Sequence, residues 1–300
     1  MQRSRTALAA GLGATALAGL VWLGIAIADD PPRQPAAPDA GPIATAVAAG
    51  KHHRIDGPRG PIHVWIPASY HADTGATILY VHGFFDDSDT AWTGHQLPEQ
   101  FALSALNAIF IVPEAPVAPY TPVNYPDLGE VLRLVEDRTG VVRGAALTAA
   151  VGHSGAYRTL IAWTDEPLLD QIVMVDAMYG DEAPILAWFG ASPRRRLISV
   201  GVDTILGTES LAAKIPETVR IDRFPPSWET MPAQAKAARH VYIRAQYGHM
   251  PLVRDGLALP ALLRLLPVEL LADQPWKQPL GSIPALPDAS QIPLTDGGID

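Results

Sequence analysis

Short apolar runs recur along the middle of the chain, and each ends near a glycine, a proline, an aspartate or a histidine. The runs are rich in Ile and Val and few polar residues interrupt them, which is typical of strands buried on both faces of a sheet. On this pattern we predict strands at residues 62–66, 76–81, 108–112, 147–151, 172–175, 197–202 and 241–245.

Segments with helical spacing separate these runs. We predict helices at residues 97–106, 127–136, 157–163, 183–189 and 259–266. An alternation of strands and helices indicates an α/β fold with a mostly parallel central sheet and helices on both of its faces. Functional loops are then expected at the carboxyl ends of the strands. The segments between the strands are too short for a large cap domain, so none is predicted.

The first residues differ from this alternating body. Arg3 and Arg5 precede an uncharged stretch over residues 6–28, which ends in the small-x-small sequence Ala-Ile-Ala. This arrangement predicts a signal peptide, or alternatively an uncleaved membrane anchor, at residues 1–28. We therefore expect an exported protein, periplasmic or secreted, with a membrane tether through residues 6–28 as the alternative.

Proline-rich segments flank the predicted body on both sides. Residues 29–50 combine Pro with Ala, Asp and Gly, which predicts an extended linker with nothing to pack against. Residues 274–300 have a similar composition and predict a C-terminal tail. The folded domain is accordingly predicted at residues 51–273.

Composition and charge exclude several classes of function. The chain has 300 residues, of which 48% are hydrophobic, and this is enough to bury a large core. Its net charge is −9, from 22 basic and 31 acidic side chains, which argues against a nucleic-acid partner. It has no cysteine, so disulfides and cysteine ligands to metals are excluded. Paired histidine spacings typical of metal sites are also absent from the sequence, and neither metal nor cofactor is predicted.

A nucleophile motif lies at the centre of the chain. The predicted strand at 147–151 runs into Gly152-His153-Ser154-Gly155-Ala156, a G-x-S-x-A sequence, and a predicted helix follows. A serine on a tight turn between a strand and a helix is lifted off the backbone near the positive end of the helix dipole. The turn requires small residues two positions before and after the serine, and Gly152 and Ala156 meet that requirement. Ser154 is the predicted nucleophile.

This strand-turn-helix arrangement resembles the α/β-hydrolase fold of serine esterases, lipases, peptidases and amidases. The resemblance covers most of residues 60–270 in the order of elements. It implies a nucleophile, an acid and a histidine, in that order along the chain. It also implies that the His82-Gly83 pair after the strand at 76–81 leads into an oxyanion loop.

The carried-over oxyanion donors are backbone N–H groups. The resemblance implies the N–H of Gly155 and that of Phe84, with Phe85 as the less favoured alternative to Phe84. Gly83 would permit the close backbone approach that such a loop needs. Two donors of this kind hold the negative oxygen of a tetrahedral intermediate.

The base is predicted at His249. It lies in Tyr-Gly-His-Met-Pro after the last predicted strand, where the resemblance places the catalytic histidine. An imidazole suits this role because it accepts the serine proton and later returns it to the leaving group.

Two aspartates compete for the role of the acid. Asp203 follows the second predicted strand after the nucleophile, which the resemblance gives as the usual position. Asp176 follows the first, and some lipases place the acid there. Because Asp176 emerges from an apolar strand, its carboxylate requires a partner or a function. Both remain open, with Asp203 preferred.

The sequence therefore predicts an exported serine hydrolase that cleaves a small-molecule ester or amide through an acyl-enzyme. A compact substrate is expected because no apolar lid of the size that long acyl chains require is recognisable. The alternative is a catalytically silent member of the fold that binds a ligand or a protein partner.

Overall fold

The predicted alternation forms one nine-stranded sheet. The structure, a computed structural model, describes residues 40–226, 228 and 230–271, so the predicted leader at 1–28 and the tail at 274–300 lie outside the described residues. The strands are β1 (Lys51–Gly57), β2 (Gly60–Ile66), β3 (Ala76–Val81), β4 (Ala108–Pro113), β5 (Thr148–His153), β6 (Gln171–Val175), β7 (Arg196–Gly201), β8 (Val219–Ile221) and β9 (His240–Arg244).

The sheet is mostly parallel. Its strand order is β1-β2-β4-β3-β5-β6-β7-β9-β8. The pairs β1·β2 and β2·β4 are antiparallel, and every other pair is parallel. The predicted fold class is confirmed. The carboxyl ends of β3, β5, β6, β7 and β9 consequently lie along one edge of the sheet, with β5 between β3 and β6.

Helices follow most of the parallel strands. They are α1 (Ala40–Ala49), α2 (Ser88–Gly94), α3 (Leu97–Ser104), α4 (Leu128–Thr139), α5 (Tyr157–Ala162), α6 (Ala183–Gly190), α7 (Ile205–Ala213), α8 (Ala233–Ala237), α9 (Pro251–Arg254) and α10 (Ala258–Leu263). The five predicted helices correspond to α3, α4, α5, α6 and α10, with ends that differ by a few residues. None of the described helices is long and apolar enough to cross a membrane.

The core consists of two apolar layers, one on each face of the sheet. Successive residues of a strand point to opposite faces, and in β3 Ile78 packs in one layer while Leu79 packs in the other. Phe101 of α3 belongs to the first layer, and Leu132 of α4 to the second. This two-sided burial explains why the strands are apolar throughout.

One segment differs from the prediction of an extended linker at residues 29–50. Residues Ala40–Ala49 form helix α1, and its Ile43 and Val47 pack against the core layer that contains Phe101. The indole N–H of Trp65 also donates to the carbonyl of Val47, at 3.4 Å. The linker prediction is wrong over α1, because the apolar side chains of Ile43 and Val47 find a buried surface on the domain.

The two edge strands were also outside the prediction. β1 is mostly exposed and begins with the polar sequence Lys-His-His-Arg, so it lacks the apolar signal of a buried strand. β8 has only three residues, and only Ile221 among them is buried. Edge strands carry less of the hydrophobic pattern because each has a neighbour on one side only.

Candidate active site

Ser154 lies on the turn that the motif predicts. β5 ends at His153, Ser154 opens a short 3₁₀ turn over Ser154–Ala156, and α5 follows directly. The backbone of Ser154 is left-handed, with a φ of 54°. A non-glycine residue rarely adopts this conformation, and such strain is concentrated at functional sites. Its effect here is to lift the hydroxyl into the cavity above the strand ends.

Small residues make this turn possible. A Cβ atom on Gly152 would lie 2.6 Å from Cδ1 of Leu160 and 3.0 Å from Cβ of Ala156. A Cβ atom on Gly83 would lie 2.7 Å from Cβ of Ser154. Both glycines are therefore required by close approach, and the loop after β3 touches the nucleophile itself.

His249 is oriented by a buried carboxylate. It lies in the loop between β9 and α9, and its Nδ1 is 2.6 Å from Oδ2 of Asp176. Because the carboxylate accepts, Nδ1 carries the proton in this hydrogen bond. In the neutral imidazole, Nε2 is then left with a lone pair that can accept a proton.

Asp176 is held as an anion by a ring of donors. Its carboxylate accepts from the backbone N–H groups of Val202, Asp203 and Thr204, at 2.9 to 3.1 Å, and from the Thr204 hydroxyl at 2.7 Å. Its complete burial alone would raise its pKa, but the hydrogen bonds from His249 and Thr204 outweigh burial and hold the pKa well below its usual range. The carboxylate therefore stays charged.

Asp203 is placed differently from the preference drawn from the sequence. Its Oδ2 lies 3.8 Å from Nδ1 of His249, beyond a hydrogen bond, and its side chain is 60% exposed. Its backbone N–H instead donates to Asp176. The geometry thus favours Asp176 over Asp203 as the partner of the imidazole. The reason is that the turn after β7 folds its amides around the carboxylate at the end of β6.

The oxyanion loop distinguishes its two candidate donors. The N–H of Phe85 donates to the carbonyl of Val117 at 2.8 Å, so it is already used. Phe84 lies against the nucleophile turn, because a Cβ atom on Gly155 would be 2.5 Å from the Phe84 ring. This leaves the N–H of Phe84, rather than that of Phe85, as the candidate donor of the loop beside Ser154.

His153, the residue before Ser154, packs against His249. Its ring centroid lies 4.3 Å from that of His249, and its Nε2–H donates to the His249 carbonyl at 3.2 Å. Burial, followed by the charges of His249 and His95, lowers the pKa of His153 to about 3. His153 therefore remains neutral and supports the loop that carries the base.

Tyr179 is a site residue that the sequence analysis missed. It follows Asp176 by three positions, and its ring lies 6.5 Å from the ring of His249. Burial and the charges of Asp176 and Asp203 raise the pKa of Tyr179 to about 12, against a smaller opposing effect of a hydrogen bond with Ser154. The phenol thus keeps its proton beside the nucleophile. The one signal for Tyr179 in the sequence was its position three residues after Asp176.

These side chains surround one cavity of about 580 Å³. Ser154 and His249 both line it, together with aromatic rings and one charge of each sign. The remaining lining residues are Phe84, Phe85, Asp86, His153, Gly155, Tyr157, Tyr179, Met250 and Arg254. A volume of this size suits a small ligand.

One group within the described part of the chain has the spacing of a metal site. Ligand atoms of Asp176, Asp203 and His249 lie within 4.8 Å of one another. Both oxygens of Asp176 already accept hydrogen bonds, and Nδ1 of His249 donates one of them. We therefore interpret the group as an acid that orients a histidine, which needs no metal.

Comparisons with known proteins give distant likenesses among solved structures and none by sequence. No family model matches the chain, and no curated protein sequence matches it. Among solved structures, a mutant of the feruloyl esterase module from Clostridium thermocellum, in complex with sinapinate, is similar at 12% identity. The match covers 72% of this chain and 89% of that one, with a TM-score of 0.47.

Two further esterase structures are similar to the same extent. S-formylglutathione hydrolase from Staphylococcus aureus matches at 12% identity over 71% of this chain and 96% of its own, with a TM-score of 0.46. A Pyrobaculum calidifontis esterase matches at 14% identity over 76% and 90%, with a TM-score of 0.44. Likenesses this distant carry no argument about activity, which has to come from the site itself.

Proposed function

We propose that this chain is a serine hydrolase that cleaves a compact ester or amide through an acyl-enzyme. Ser154 is the nucleophile, His249 the general base and Asp176 the acid that orients it. The backbone N–H groups of Phe84 and Gly155 form the oxyanion hole. The observation that carries the proposal is the 2.6 Å contact between His249 and a buried, charged Asp176, in the same cavity as a strained serine.

The proposed reaction begins with proton transfer. Nε2 of His249 takes the proton of the Ser154 hydroxyl while Oγ attacks the carbonyl carbon of the substrate. The carbonyl π electrons move onto oxygen, and the amides of Phe84 and Gly155 stabilise that charge. Asp176 stays ionised throughout and stabilises the imidazolium.

Collapse of the intermediate breaks the bond to the leaving group. The imidazolium of His249 donates its proton to the departing alcohol or amine, which leaves an acyl group on Ser154. A water molecule then repeats the sequence, with His249 as its base, and releases the acid and the free serine. No step in this scheme requires a cofactor.

The proposed substrate is compact because of the cavity and its surroundings. The lining is largely aromatic, with Phe84, Phe85, Tyr157 and Tyr179 around the nucleophile. The described segments between the strands form short helices rather than a cap domain. An ester or amide with a small acyl group fits this space, whereas a long acyl chain would extend into solvent.

Covalent labelling tests the proposal. We expect a fluorophosphonate probe to label the wild-type protein and to leave Ser154→Ala unlabelled, since only a serine activated by a base attacks phosphorus. A control variant, Ser192→Ala, changes a serine between α6 and β7 and should label like the wild type. A folded wild-type protein that resists the probe would favour the silent ligand-binding member of the fold.

Export also remains a proposal, with membrane anchoring through residues 6–28 as its alternative. The segment at residues 1–28 lies outside the described residues, and the support is its sequence alone. Expression of the full chain, fractionation and mass determination of the N-terminus decide the matter. Export predicts a mature protein that lacks these residues in the soluble fraction, whereas an intact N-terminus in the membrane fraction indicates an anchor.

A further inference from the structure

The peptide bond between Gly83 and Phe84 is held through its carbonyl by a side chain that does not line the cavity. Nδ1 of His82 lies 2.8 Å from the carbonyl oxygen of Gly83, and the imidazole is completely buried. Since the carbonyl accepts, Nδ1–H donates. A trans peptide is planar, so its C=O and N–H point in opposite directions. A bond that fixes the Gly83 carbonyl therefore also fixes the direction of the Phe84 N–H.

His82 is in turn fixed by its other nitrogen. The backbone N–H of Ala115 donates to Nε2 of His82 at 3.0 Å. Oε1 of Glu114 lies 3.4 Å from the same nitrogen. The ring thus donates through Nδ1 and accepts through Nε2, so Oε1 of Glu114 makes no hydrogen bond with it. Glu114 and Ala115 both lie directly after β4, the neighbour of β3.

Glu114 reaches the far end of the same loop. Its Oε2 accepts from the backbone N–H of Ser88 at 3.1 Å and from the Ser88 hydroxyl at 3.0 Å. Burial alone would raise the pKa of Glu114, but the neighbouring His82 and the hydrogen bonds from Ser88 lower it below its usual range. A buried carboxylate thus fixes the start of α2, at the far end of the loop that begins with His82.

We propose that His82 and Glu114 are positioning residues for the oxyanion hole: His82 aims the Phe84 N–H at the reacting oxygen, and Glu114 holds the far end of the same loop through Ser88. The inference rests on the proposed function, since it assigns the orientation of one of its donors. Neither side chain lines the cavity, so both act through the loop. Donation to the Gly83 carbonyl also polarises the peptide and strengthens its N–H as a donor.

Two substitutions of His82 separate its two nitrogens. In His82→Asn the amide nitrogen takes the place of Nδ1 and keeps the bond to Gly83. In His82→Gln the amide lies at the distance of Nε2, which keeps a partner for Ala115 but removes the donor to Gly83. Loss of one oxyanion donor lowers kcat by roughly 10²–10³-fold. With p-nitrophenyl acetate, we expect His82→Gln to lose about 100-fold in kcat with KM changed less than threefold, and His82→Asn to lose less than tenfold.

Glu114→Gln tests the second part with a matched control. It removes the charge at constant size, and we expect a loss of kcat of about tenfold. Glu136, on α4, forms an ion pair with Arg143, and Glu136→Gln should leave kcat unchanged. Inhibition by a boronic acid, whose adduct with serine carries the negative oxygen, should weaken in His82→Gln and Glu114→Gln in proportion to kcat. A change in overall stability alone would not make the loss of boronic acid binding match the loss of kcat.

The outcomes distinguish this inference from the proposed function. Turnover that depends on Ser154 but is equal in His82→Asn and His82→Gln overturns the role of His82. Wild-type kcat in folded Glu114→Gln overturns the role of Glu114. Absence of Ser154-dependent turnover in the wild-type protein overturns the proposed function instead.

Discussion

Three residues at the site hold a left-handed backbone without being glycine. Ser154, Phe85 and Asp176 have φ values of 54°, 70° and 48°. Each conformation costs on the order of 1–3 kcal/mol, so the surrounding contacts must enforce it. For Asp176 the enforcing contacts are the amides that follow β7, which bind the same carboxylate that orients His249. The strained backbone of Asp176 is therefore held by the same amides that position its carboxylate against His249.

Substitution of the two aspartates tests that coupling. Asp176→Asn keeps the size of the side chain but stabilises the wrong imidazole tautomer, so kcat/KM for p-nitrophenyl acetate should fall by about 10³–10⁴. Asp203→Asn, at an exposed side chain 3.8 Å from the imidazole, should lose less than tenfold. The measurement combines kcat/KM with the melting temperature of each variant. A large loss confined to Asp203→Asn would move the acid one strand later.

Close approach at Gly83 gives a second prediction at this scale. In Gly83→Ala the new methyl group would lie 2.7 Å from Cβ of Ser154 and 3.1 Å from the His153 carbonyl, so the loop or the nucleophile has to move. We expect kcat to fall by about 100-fold or more, because donors and nucleophile lose their alignment. Gly94→Ala is the control, since a Cβ atom there meets nothing within 4 Å. An unchanged kcat in Gly83→Ala would remove this loop from the mechanism.

Local motifs identify some of these residues and not others. Ser154 and His249 were recognisable because small neighbours or a post-strand position accompany them in the sequence. The choice between Asp176 and Asp203 depends on which strand end the imidazole reaches, and that is a property of the folded sheet. The preference for Phe84 over Phe85 gains support only from the carbonyl of Val117, which occupies the Phe85 N–H and is distant in sequence.

At the scale of elements, burial decides what a sequence reveals. The buried parallel strands were predicted closely because both faces are apolar. The edge strands β1 and β8 were missed because an edge strand does not need two apolar faces. Helix α2 was missed because it is short and follows two aspartates. The second of them, Asp87, is its N-cap and accepts from the Thr90 N–H. An aspartate can be recognised as an N-cap in a sequence only when a helix is already predicted after it.

Helix α1 supplies a prediction about the boundary of the domain. If it is part of the folded body, Ile43→Ala should lower the free energy of unfolding by about 1–2 kcal/mol, because a partly buried side chain leaves the layer around Phe101. Ala44→Ser, at an exposed position on the same helix, should change it by less than about 0.5 kcal/mol. Urea unfolding of both variants provides the measurement. Equal stabilities would indicate that α1 contributes nothing to the body.

At the scale of the whole molecule, several buried histidines link stability to pH. Burial, followed by the charge of Arg220, lowers the pKa of His240 to about 3. His153 behaves similarly, and burial lowers the pKa of His95 to about 4. Each group has an unfolded pKa of about 6.5. Between these values the unfolded chain binds protons that the folded chain does not, so stability falls as the pH falls from about 6.5 towards 3.

His240→Gln isolates one of these groups away from the active site. His240 contacts Ser199 and Thr218, both outside the cavity, and glutamine can keep hydrogen bonds to them without titrating. We expect the wild-type protein to lose on the order of 2 kcal/mol per such histidine between pH 7 and pH 5. In the variant, the free energy of unfolding should depend less steeply on pH, by the equivalent of about one bound proton. Urea unfolding across this range measures both slopes, and identical slopes would contradict the assignment.

The candidate site draws its parts from the ends of four strands, so the proposed activity would report whether the sheet has assembled. The loop after β3, the turn after β5, the carboxylate after β6 and the histidine after β9 come together only when these strands pair in register. A one-residue slip in any pair turns every side chain of that strand to the other face. Partly folded chains should accordingly be inactive rather than weakly active. During refolding, recovered turnover would therefore follow the last strand pairing to form, and it would lag behind the appearance of secondary structure.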